Sequence, residues 1–93
     1  MTQIVQSGDR WNVQGDLIVD TVNSLLQASQ SLVLGVNTVA DFKDVKEIDT
    51  AAISLILEWK RRANRENKEL SLVNLPENLK SLVALYGVSD IMT

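Results

Sequence analysis

Between Asp49 and Asn67 the apolar residues Ala52, Leu55, Ile56, Trp59 and Ala63 recur every three or four positions, and Ile53 and Leu57 widen the stripe. That period predicts an amphipathic helix starting near Asp49 or Thr50 and running to about Asn67, with one broad face to bury. On either side lie short runs of strand character. "VNTVADF", rich in β-branched residues, sits between Gly35 and the charged "KDVKE", and "ELSLVNL" alternates Leu70 and Leu72 with polar neighbours before Pro76. A helix linking two such runs is long enough to join parallel strands by a right-handed crossover. The first run reads as a buried central strand ending at Asp41.

The rest of the chain extends this pattern. Thr2 to Val13 reads as a hairpin around "QSGDR", where Gly8 and Asp9 permit a turn and Trp11 and Val13 alternate with Asn12 and Gln14. Gly15 and Asp16 interrupt it. Asp20 then suits an N-cap, and Val22, Leu25, Leu26 and Leu32 follow at helical spacing. A third helix is predicted after Pro76, with Leu79, Leu82, Val83 and Tyr86 on one face, closing at Gly87, where Val88 and Ile91 can pack back. The predicted fold is α/β: one layer of mixed sheet with about three helices packed on it, forming a single domain over residues 1–93.

Composition narrows the functions open to such a fold. The chain has no histidine and no cysteine, which removes the usual zinc sites, thiolate chemistry and the commonest general base. Its net charge of −3 disfavours a phosphate backbone or an anionic leaflet as partner, so nucleic acid is not expected. Gly8, Gly15, Gly35 and Gly87 are isolated, unlike the clustered glycines of nucleotide-binding loops. The carboxylate pairs Asp41 with Asp44 and Glu47 with Asp49 share one loop without an indicated pocket, and no metal site is expected there. No catalytic residue, metal or cofactor is assigned. The apolar runs fall well short of the roughly 20 residues a membrane span needs, so a cytoplasmic location is expected.

Three further features each admit two readings. Trp59 and Trp11 occupy core positions and are read as core rather than as a binding platform. Lys60, Arg61, Arg62, Arg65 and Lys68 crowd the late half of the central helix, where the dipole favours cations. They suit a solvated face or a surface for an acidic partner. Asp49 and Thr50 can each cap the helix that follows, while Ala51 and Ala52 keep its first turn low enough to admit a partner's side chain.

"VADFKDVKEIDTAAISLIL" combines a strand ending in aspartate, a short loop, Asp-Thr, two small residues and an aliphatic run. It resembles the signature of STAS domains, the fold of anti-sigma factor antagonists, and the likeness extends from the first hairpin through "GDL" to "LVALYGVSDIM". Within that family the chain looks most like the small stand-alone subunits of Mla-type phospholipid transporters, with Thr50 where antagonists usually carry serine. The resemblance implies an accessory subunit that binds the ATPase of an ABC transporter, in a complex with permease and lipid-binding subunits. It also implies a place at the inner membrane through that complex, in phospholipid transport that maintains outer-membrane lipid asymmetry in Gram-negative bacteria. By the same likeness Asp49, Thr50, Ala51 and Ser54 form the partner-facing turn, centred on Thr50. Family members often have glycine or serine where this chain has Ala51 and Ala52. The alternative implied is an anti-sigma factor antagonist switched by phosphorylation of Thr50, whose phosphate the helix dipole would favour and Asp49 oppose.

Overall fold

The computed structural model describes residues 2–85. Its elements are β1 (Gln3–Ser7), β2 (Arg10–Leu17), α1 (Val19–Gln30), β3 (Asn37–Ile48), α2 (Ala51–Arg65), β4 (Glu69–Val73) and α3 (Glu77–Leu85), the order predicted from the sequence. They form a mixed sheet of order β1-β2-β3-β4, with β1 and β2 antiparallel and the β2–β3 and β3–β4 pairs parallel. Tyr86, Gly87, Val88 and Ile91 lie outside the described residues.

The core lies between one sheet face and the helices. Trp11, Val13 and Leu17 of β2, Ala40 and Phe42 of β3 and Leu70 of β4 are buried against Val22 and Leu25 of α1, the α2 stripe except the partly buried Leu57, and Leu79 and Val83 of α3. Both tryptophans belong to this core. Their rings meet edge to face with centroids 5.4 Å apart, a preferred aromatic geometry. Each indole N–H is satisfied: Trp59 Nε1 donates to Ser29 Oγ at 2.9 Å and Trp11 Nε1 to the Val33 carbonyl at 3.3 Å.

Several boundaries differ from those predicted. β2 does not stop at Gly15 but passes through it, with φ at +95° there and register shifts on both sides, so the glycine marks a bulge rather than a break. β3 likewise continues through "KDVKE" to Ile48. Asp41 therefore sits mid-strand, at the last residue paired to β4, and beyond it β3 is flanked by β2 alone, which leaves Lys43, Asp44, Lys46 and Glu47 exposed. Asp20 is not the N-cap of α1; it lies in the first turn, and Ile18 is the cap residue. Ile18 has no side-chain acceptor, but Thr21 Oγ1 accepts from its N–H at 3.1 Å, the return half of a capping box. α1 ends at Gln30, so Leu32 lies beyond it.

Asp41 is buried by partners. Its Oδ1 accepts from the Lys43 amide at 2.9 Å and from Asn74 Nδ2 at 3.0 Å, and its Oδ2 lies 3.2 Å from the Arg10 guanidinium. Burial pushes its pKa up, but the bonds from Asn74 and the Lys43 amide, with the charges of Arg10 and Lys43, outweigh that and hold it below the ordinary value. Asn74 has φ of +57°, so the contact also fixes the turn that carries the chain from β4 into α3.

The basic run on α2 is not a uniform solvated face. Arg62 donates from Nη1 to the Ser29 carbonyl and from Nη2 to the Leu32 carbonyl, each at 2.8 Å, and its guanidinium carbon lies 5.8 Å from the centre of the Trp11 ring. α1 has no basic residue in its own last turn, so α2 supplies the cation for its negative end. Arg61 instead pairs with exposed Glu58 on its own helix. α2 ends in a Schellman turn at Asn67, φ +55°, with the Lys68 amide donating to Ala63 O at 2.8 Å and the Asn67 amide to Asn64 O at 3.2 Å.

Candidate functional site

In a sheet with parallel strands and crossover helices, the loops leaving the carboxyl ends of adjacent strands converge on one edge. Here the β2–α1 and β3–α2 joints do so. Leu17 pairs with Ile48, and the Asp49 amide donates to the Leu17 carbonyl at 3.1 Å. The two helices therefore begin side by side.

Asp49 ties those two starts together. Its Oδ1 accepts from the Ala51 amide at 2.8 Å, the first residue of α2, and its Oδ2 accepts from the Val19 amide at 3.0 Å, the first residue of α1. A single carboxylate thus satisfies a first-turn donor of each helix and places its charge at both positive dipole ends. The Asp49 carbonyl also accepts from the Ala52 amide at 3.0 Å. Nearby, Asp16 Oδ1 accepts from the Glu47 amide at 3.3 Å, bracing β3 against β2 just before the turn.

Thr50 is the N-cap residue of α2 by position, yet its side chain makes no cap bond. Its backbone is already helical, φ −62° and ψ −19°, whereas a capping side chain normally needs an extended residue to reach back to the first-turn amides. The capping that both residues could supply therefore falls to Asp49 alone. The Thr50 side chain is exposed, and Ser54, one turn along the same helix face, is exposed too, with Ala51 half-buried between them. Asp49, Thr50, Ala51 and Ser54 thus form one continuous surface at the start of α2.

Val19 completes that surface and was not singled out in the sequence. It is 70% exposed, although its amide is bound to Asp49, so an aliphatic side chain stands beside the Thr50 turn. With Asp20 as the expected cap of α1, Val19 falls in a joint with no predicted role. The available signal was Thr21, three residues after Ile18, in capping-box spacing. Among the described residues no group of acidic residues is arranged to hold a metal ion, and Asp41, a member of the Asp41–Asp44 pair, is occupied by Arg10 and Asn74.

The family model described as "Mlab, STAS domain" matches residues 1–93, the full sequence. No curated protein matches the chain. Among solved structures, Mglu is 26% identical with a TM-score of 0.60, over 80% of this chain and 19% of its own, so this chain spans about a fifth of that protein. A sulfate transporter family protein from Wolinella succinogenes matches with a TM-score of 0.73 and 11% identity, over 91% of this chain and 70% of its own. The anti-sigma factor antagonist SpoIIAA in its unphosphorylated form matches at 0.62 and 14% identity, over 88% of this chain and 80% of its own. These last two likenesses concern the fold. With the family match covering its whole length, the chain belongs to the STAS domain family.

Proposed function

We propose that this chain is an interaction subunit without chemistry of its own, which docks the start of α2 on the ATPase subunit of an ABC transporter for phospholipid. In this reading it supports assembly and activity of a complex that also contains permease and lipid-binding subunits. That complex moves lipid between the inner and outer membranes and maintains outer-membrane asymmetry, with this subunit held at the cytoplasmic side of the inner membrane.

The observation that carries the reading is the division of labour between Asp49 and Thr50. The carboxylate is spent internally on two helix starts, while the neighbouring hydroxyl projects from a rigid turn with no partner among the described residues, flanked by exposed Val19 and Ser54. A polar contact group within a partly apolar surface, preorganised by the Asp49 hydrogen bonds beside it, is what a specific protein contact uses. The family match, described by an Mla subunit, supports the choice of partner. No helix among the described residues is long and apolar enough to cross a membrane, in keeping with attachment through a partner. Co-expression with the ATPase subunit of a phospholipid ABC transporter should give a complex that Thr50→Glu disrupts. Equal copurification of the variant and the natural protein rules out this face.

The second reading, a phosphorylation switch at Thr50, is favoured by the hydroxyl's exposure at a helix start. Against it stands the adjacent Asp49 carboxylate, which already occupies the amides a phosphate would use. Intact mass after incubation with an anti-sigma kinase separates the two, since a shift at Thr50 supports the switch and an unchanged mass supports the unmodified contact.

A further inference from the structure

β1 ends the sheet, and among the described residues it pairs only with β2. Ser7 and Arg10 flank a tight turn at Gly8 and Asp9 and so form a hydrogen-bonded pair, and antiparallel alternation makes Val5 with Asn12 and Gln3 with Gln14 the next such pairs. The main-chain groups of Ile4 and Gln6 therefore point away from β2. Among the described residues no side chain or distant backbone group bonds to them, and the Gln6 side chain is itself spent on Val33, donating to its carbonyl at 2.9 Å. The usual protections of an edge are missing as well. Thr2 to Gly8 carry no charge and no proline, the register with β2 is regular, and Val5 in mid-strand is 44% exposed on the sheet face away from the helices. At the β4 side, by contrast, Lys60 already holds the Leu70 carbonyl. Beside the β1 edge a cleft of about 460 Å³ separates the strand from α1, whose small residues Ser24 and Ala28 line it and are exposed. Asp20 is the only charged side chain among the described lining residues.

We propose that β1 pairs with β1 of a second copy of this chain, antiparallel about a two-fold axis at Val5, joining the two sheets into one and setting the two α1 helices side by side across the axis. The edge is self-complementary in that register. Ile4 of each copy lies opposite Gln6 of the other, so every outward N–H and carbonyl of these residues gains a partner. Val5 meets its own equivalent and both are covered, while Gln3 faces Ser7, so no like charges meet. The paired helices run antiparallel, Ser24 and Ala28 let them approach closely, and the two copies of Asp20 fall at opposite ends of the contact. A foreign strand finds no charge on this edge to select it, whereas an isologous pair needs only the uncharged, self-matching surface present here. The contact lies on the β1 side of α1 and does not depend on the one proposed at Thr50.

The test uses the full chain. Sedimentation velocity over a concentration series should show a monomer–dimer equilibrium. Val5→Lys and Val5→Glu should each abolish the dimer, and mixing the two variants should restore it, each being checked for native circular dichroism. The chain has no cysteine, and a non-hydrogen-bonded pair on the axis brings its Cα atoms to about 4.5 Å, within the reach of a disulfide. Val5→Cys should therefore oxidise to a covalent dimer at least about tenfold faster than Val36→Cys, whose parent residue is 67% exposed but off this surface. A monomer at every concentration, a dimer that Val5→Lys leaves intact, or cross-linking of Val5→Cys no faster than that of Val36→Cys overturns the proposal.

Discussion

Asp49 and Thr50 are chain neighbours with opposite orientations, and substitution should separate their effects. Asp49→Ala removes acceptors for two first-turn amides and is expected to cost about 1–2 kcal/mol in urea unfolding, by the usual worth of an N-cap. Thr50→Ala removes no internal bond and is expected to change stability by no more than about 0.5 kcal/mol while weakening partner binding. Asp41 acts on acid stability. Its carboxyl is held below the ordinary value, so its contribution is complete above the unfolded pKa of about 3.9 and is lost as pH falls through the lower, folded value. Asp41→Asn should therefore flatten the stability–pH curve below about pH 4, measured by urea unfolding across pH, while leaving a deficit at neutral pH from the lost Arg10 pairing.

At the scale of elements, α2 joins the fold to the site: its stripe fills the core, its start carries Thr50 and its Arg62 closes α1. Arg62→Met should cost about 2–3 kcal/mol, because two carbonyls and a ring face lose a charged partner, and Arg62→Lys should recover only part, lacking the planar fork that spans both acceptors. Arg61→Met, which breaks only an exposed pair, should cost less than about 1 kcal/mol in the same thermal or urea assay. The α2 stripe was legible because its period fixes which residues are buried wherever the helix packs. Arg62 was not legible, since in sequence it is one of several neighbouring cations, and only the end of α1, 30 residues or more earlier, distinguishes it. The same holds for β3. Its charged second half reads as a loop because it lacks the apolar residues that mark a strand, whereas a segment paired on one side only tolerates exposed charge. Gly15 misled for a related reason, as a bulge and a break share one residue type.

Across the whole molecule, the proposed contact surface lies at the start of α2, on the edge where the β2–α1 and β3–α2 joints meet. The Thr50 end was partly visible beforehand, through Asp-Thr ahead of two alanines, but the roles of the pair were not separable until the Thr50 backbone proved helical and Asp49 proved to reach α1. Val19 entered only through that long-range bond. The central claim is that this end, and not the sheet or the late half of α2, meets the transporter ATPase. Amide hydrogen exchange of the full chain with and without that subunit tests it directly. Slowed exchange in the complex is expected at residues 18–20 and 49–54, and protection confined to other segments with none at these two would contradict that contact.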